Sequence, residues 1–108
     1  RIGDNTMKKD VEKTVVVFRK WKDNEEVVAI FPELPGSYNK IWECNSYMHI
    51  GQHGSCDSFG IIKDTILAEE IDYADLKQEL ESLGYVLDIR KKITQKMAGK
   101  RLEELGRI

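Results

Sequence analysis

Long apolar runs are missing from these 108 residues. No stretch approaches the ~20 apolar residues of a membrane-spanning helix, so no membrane partner is expected. A charged-then-apolar leader is missing too. Met7 reads as a natural start, which leaves residues 1–6 as an extension outside the fold, and the expected setting is cytoplasmic. Cysteine is sparse, with only Cys44 and Cys56. In a reducing compartment two such cysteines are expected as free thiols and not as a disulfide framework. Neither sign of charge is in large excess: the formal net charge is -2, so nothing draws the whole chain toward nucleic acid. Repeats and low-complexity segments are lacking as well.

What is present suits a globular domain. Hydrophobic residues make up 41% and charged residues 33%, enough for one core without metal or disulfide staples. The charge is unevenly placed. Asp64, Glu69, Glu70, Asp72, Asp75, Glu79 and Glu81 crowd one segment, whereas Arg90, Lys91, Lys92, Lys96, Lys100, Arg101 and Arg107 dominate the C-terminal part.

Residues 13–22, KTVVVFRKWK, are β-branched and aromatic and predict a strand. A polar turn, DNEE, leads to VVAIF at 27–31, apolar on both faces, which predicts a central or doubly covered strand in a hairpin with the first. Pro32, Pro35 and Gly36 mark residues 32–40 as a loop. Residues 41–50 read as a third strand, closed by GQHG at 51–54. Residues 55–66 are expected as a helix, since Phe59, Ile62 and Ile66 share a face at helical spacing. The clearest element follows: Tyr73, Leu76, Leu80 and Leu83 form an apolar stripe, acids line the other face, and Gly84 with Tyr85 supplies a left-handed C-terminal cap. Residues 85–91 read as a fourth strand. The predicted class is α+β, order β-β-β-α-α-β, an antiparallel sheet of about four strands with helices on one face. A single domain over 7–92 is followed by a basic helical tail over 93–108.

The stretch SYMHIGQHGSCDS, residues 46–58, concentrates the polar chemistry. Cys44, His49, His53 and Cys56 are zinc-type ligands. In an unbroken strand, however, the odd spacing sets Cys44 and His49 on opposite faces and roughly 16 Å apart. That leaves His49, His53 and Cys56 as the weak metal candidates, with no metal site and no cofactor expected. A Cys56–His53 pair at a helix N-terminus is a candidate thiolate nucleophile. The preferred reading of Cys56 is a small, partly buried cap residue. Tyr47 and His49 would project from one strand face, with Gly51 and Gly54 shaping a sharp exit that carries Gln52 and His53.

The segments VVVFRKWKDNEEVVAIFPE, SYMHIGQHGSCD and YADLKQELESLGYVLDIRK together resemble a family of small uncharacterised proteins of phages and other mobile elements of gut bacteria. Its pattern runs from an FRK strand through a strand ending like ALFPE, then SYxHxGQH, then a helix ending ESxGY. The resemblance spans residues 14–92. It implies a single cytoplasmic domain and a role for Tyr47, His49, Gly51, Gln52 and His53 as candidate binding residues. It implies no catalytic assignment and leaves the cysteines outside the motif.

Three functions remain in play. The favoured one is an accessory protein that binds a host or element-encoded protein. The second is a nucleic-acid-binding module, with Arg19, Lys20 and Lys22 as cations and Trp21 and Trp42 as stacking platforms. The third is a small enzyme dependent on His49 and His53, metal-assisted or not.

Overall fold

The computed structural model describes residues 13–36, 42–48, 53–104 and 106, with His53 described by its backbone alone. The fold is α+β: β1 (Thr14–Trp21), β2 (Val27–Pro35), β3 (Glu43–Tyr47), β4 (His53–Asp57), a 3-10 turn (Gly60–Asp64), β5 (Thr65–Leu67), α1 (Glu70–Ser82), β6 (Leu87–Arg90) and α2 (Gln95–Glu104). The sheet order is β4-β3-β2-β1-β5, with β6 also paired to β1.

The TVVVF run opens β1, whose Val16 and Val17 are fully buried, and β2 matches it with Val28, Ala29, Ile30 and Phe31. Adjacent residues of one strand point to opposite faces, so both faces of these two strands must be covered. On one face Val16, Phe18, Ala29, Phe31 and Tyr47 pack with Leu76 and Leu80 of α1. On the other Val28, Ile30 and Cys44 pack with Ile61 of the 3-10 turn and Ile93, just ahead of α2.

Local chemistry sets both ends of α1. Glu69 is the N-cap, and its backbone N–H donates to the Asp72 carboxylate at 3.0 Å while the Glu69 side chain accepts from the Asp72 backbone, a reciprocal capping box. At the other end Gly84 takes φ +104, a conformation that costs a glycine little. The N–H of Tyr85 reaches Leu80 O and that of Gly84 reaches Glu81 O, the paired bonds of a Schellman motif. Tyr73 of α1 stacks on Phe18, ring centroids 4.3 Å apart. Leu83 leaves the expected apolar stripe and is exposed.

Several expectations need correction. The sheet has six strands, not about four, and is not wholly antiparallel: β6 runs parallel to β1, pairing Thr14–Val17 with Leu87–Arg90. The antiparallel β5 pairs with Arg19–Trp21. A chain that leaves β5, covers one face with α1 and returns to the same edge of β1 therefore re-enters in the opposite sense. Helices cover both faces rather than one, because α2 packs over the face away from α1. Its Arg101 is buried and donates to Pro32 O at 2.9 Å and Ser58 Oγ at 3.2 Å.

The predicted loop from Pro32 is strand as far as Pro35. Its pairing with β3 shifts register between Phe31 and Pro35, and such an irregularity tolerates residues that lack a donor N–H. The predicted helix over 55–66 is instead the end of β4, the 3-10 turn and β5. Among the described residues no helix is long and apolar enough to cross a membrane.

Candidate functional site

Of the expected binding residues, the structure describes Tyr47 and the backbone of His53. His49, Gly51 and Gln52 lie outside the described residues, and of His53 only its backbone place is described, at the start of β4 opposite Tyr47. Tyr47 is 1% exposed. Its ring belongs to the core beneath α1, and its hydroxyl donates to the Glu79 carboxylate of α1. Tyr47 is therefore an internal tie between sheet and helix, not part of an open face. Strand parity told the two sides apart, but both sides are covered, so the face opposite Cys44 is not solvent.

Cys56 sits within β4 and not at a helix N-terminus, so no helix dipole acts on its thiol. What lies beside it is Cys44. The two are directly opposed across β3 and β4, and their sulfurs are 3.7 Å apart. Both are free thiols, Cys44 buried and Cys56 partly exposed. The hydrogen bond between the two thiols holds Cys56 below the usual thiol range, and Ser46 adds to it. The same contact, with burial, pushes Cys44 up.

Positional symmetry could have revealed this pair. In an antiparallel hairpin, residues equally far from the turn face each other, and Cys44 and Cys56 stand equally far from Ile50. The helical spacing over residues 55–66 hides that symmetry. Among the described residues, no three of His, Cys, Asp and Glu come together in a metal-holding group.

A second feature arises where β5 and β6 share one edge of β1. Each covers part of that edge, and their ends leave a break opposite Phe18, whose carbonyl accepts from Ala68 N at 3.0 Å. On the α1 face the break opens into a cleft of about 600 Å³ lined by Phe18, Leu67, Ala68, Tyr73, Ile89 and Arg90, among others. On the α2 face a hollow of about 240 Å³ is lined by Val17, Arg19, Ile62, Lys91, Lys92 and Ile93. Apolar side chains are exposed on β5 and at the start of α1. Ile66 is 47% exposed, Leu67 38%, and Ile71 at the start of α1 86%. The sequence hides this edge because Phe59, Ile62 and Ile66 recur at helical spacing.

The cations suggested for nucleic acid are occupied. Arg19 donates through Nε to Thr65 Oγ1 at 2.7 Å and through Nη2 to Thr65 O at 2.9 Å. Lys20 pairs with Asp72 at 3.4 Å, and Lys22 donates to Lys63 O at 2.8 Å. Trp21 packs against the inner cluster on the α2 face, while Trp42 is exposed at the far side of the sheet, ahead of β3.

No family model matches the chain, and no curated protein or solved structure does so either.

Proposed function

We propose that the chain is a small cytoplasmic accessory protein, in the phage or mobile-element setting that its resemblance implies, and that it binds a host or element-encoded protein along the broken β5–β6 edge. The observation that carries this reading is the exposure of Ile66 and Leu67 on β5 and of Ile71 at the start of α1, with Leu67 also lining the cleft beside that edge. Exposed apolar surface, where it is contiguous, marks interaction sites.

The occupant that fits is an extended partner segment carrying apolar and acidic residues. A sheet edge offers main-chain donors and acceptors to an added strand. Lys91 and Lys92 stand exposed where β6 ends, and they complement acids on such a segment. Nucleic acid fits less well, because Arg19, Lys20 and Lys22 already serve internal partners.

The test compares the wild-type chain with an Ile66→Asp/Ile71→Asp variant. Both are immobilised and challenged with lysate of the host bacterium at near-physiological salt, and any captured protein is then purified and titrated. The expected result is a near-stoichiometric partner whose affinity falls at least tenfold with the variant, while the thermal midpoint stays unchanged. Equal binding by the variant, no stoichiometric partner, or self-association through this edge overturns the proposal. A mobility shift on DNA or RNA that falls steeply with salt would replace it with the nucleic-acid reading.

A further inference from the structure

We infer that Cys44 and Cys56 form a reversible dithiol–disulfide pair, with Cys56 as the attacking thiol and Cys44 as the resolving one, oxidised by low-molecular-weight disulfides. The inference stands on the β3–β4 geometry and is independent of the binding function proposed above.

Directly opposed residues of an antiparallel pair have Cα atoms about 4.5 or 5.5 Å apart, according to which type of pair they occupy. Both spacings fall within the roughly 4.4–6.8 Å that a disulfide spans. Cys44 and Cys56 are opposed in this way, and their sulfurs already touch at 3.7 Å. A bond of about 2.05 Å therefore needs side-chain rotation and little backbone movement.

The two sulfurs differ in access. Cys56 is partly exposed on β4, an end strand of the sheet, whereas Cys44 is fully buried against Val28 and Ile30. A small disulfide can reach the first and not the second. The hydrogen bond between them favours the Cys56 thiolate and keeps Cys44 protonated until the second step.

The chemistry balances in two exchanges. The Cys56 thiolate, having released its proton to water, attacks one sulfur of the small disulfide. A Cys56 mixed disulfide forms, and one small thiolate leaves and takes up a proton. Cys44 then loses its proton and attacks Cys56 Sγ, breaking the mixed disulfide and expelling the second small thiol. Two protein thiols are oxidised by two electrons in all, and one small disulfide is reduced to two thiols.

The test treats the reduced full chain with glutathione disulfide at near-neutral pH, quenches with acid, alkylates and measures mass. The expected product has lost two hydrogens, and peptide mapping links Cys44 to Cys56. Cys44→Ser should stop at a glutathione adduct on Cys56, and Cys56→Ser should react at least tenfold more slowly. A wild-type chain that stops at the mixed disulfide, or variants that react at equal rates, would overturn the inference. Should a variant fail to fold, alkylation of the native wild-type chain decides in its place. Cys56 is expected to be modified first with Cys44 untouched, and equal labelling of both refutes the assigned order.

Discussion

Tyr47→Phe is the perturbation that best separates an internal tie from a presented surface. The ring stays and only the hydroxyl is lost, so packing with Val16, Phe18 and Leu80 is kept. What disappears is the donor to the Glu79 carboxylate. A hydrogen bond to a charged acceptor contributes about 1.5–3 kcal/mol. For a chain of this size roughly 4 °C of thermal midpoint corresponds to 1 kcal/mol, so the expected fall is about 6–12 °C.

Tyr47→Ala should cost more, about 3–5 kcal/mol, because it also empties the ring's volume. A double-mutant cycle with Glu79→Gln isolates the pairwise part, and a coupling of at least about 1 kcal/mol is expected. Urea unfolding followed by circular dichroism measures all four species. A Tyr47→Phe chain as stable as wild type, with no coupling to position 79, would refute the assignment of Tyr47 to the fold. Loss of partner binding at unchanged stability would return Tyr47 to the contact surface that the sequence motif suggests.

Two further outcomes follow from the same structure. Gly36→Ala should destabilise the chain by about 1–3 kcal/mol, read as a lower urea midpoint. A Cβ there would lie 2.6 Å from Cys44 O and 2.6 Å from Ser55 Cβ, and the first of these is backbone and cannot swing away. Asp72 is held below the usual carboxylate range, first by the Glu69 backbone N–H and also by Lys20. A carboxyl whose folded-state pKa is depressed contributes fully above about pH 4, and the contribution is lost as pH falls through the depressed value. Asp72→Asn should therefore flatten the stability profile on its acid side, while a profile as steep as wild type would exclude that role.

The parts of the fold legible in the sequence are those with strong local signals. TVVVF and VVAI announce β1 and β2, and the apolar residues on both faces of VVAI point to a central or doubly covered strand. Glu69 with Asp72 at one end and Gly84 with Tyr85 at the other bracket α1 through contacts a few residues apart. The region after Tyr47 is different. Phe59, Ile62 and Ile66 recur at helical spacing, yet β4 and β5 are strands because β3 and β1 supply their hydrogen-bond partners. Short polar strands carry little signal of their own, since strand preference depends mostly on what lies beside them.

The candidate site divides along the same line. Sequence alone determined that Cys44 and Cys56 are the only thiols and that Tyr47 and Cys44 leave their strand on opposite sides. It also determined that apolar Ile66 and Ile71 lie within the acidic segment. Tertiary structure decided that both sides of the sheet are covered, which turns Tyr47 inward onto Glu79, and that the 3-10 turn and β5 leave Ile66 in solvent. It likewise decided that the two thiols meet. The physical reason is common to all three: a side chain's direction is local, but what it points at is set by elements distant in the chain.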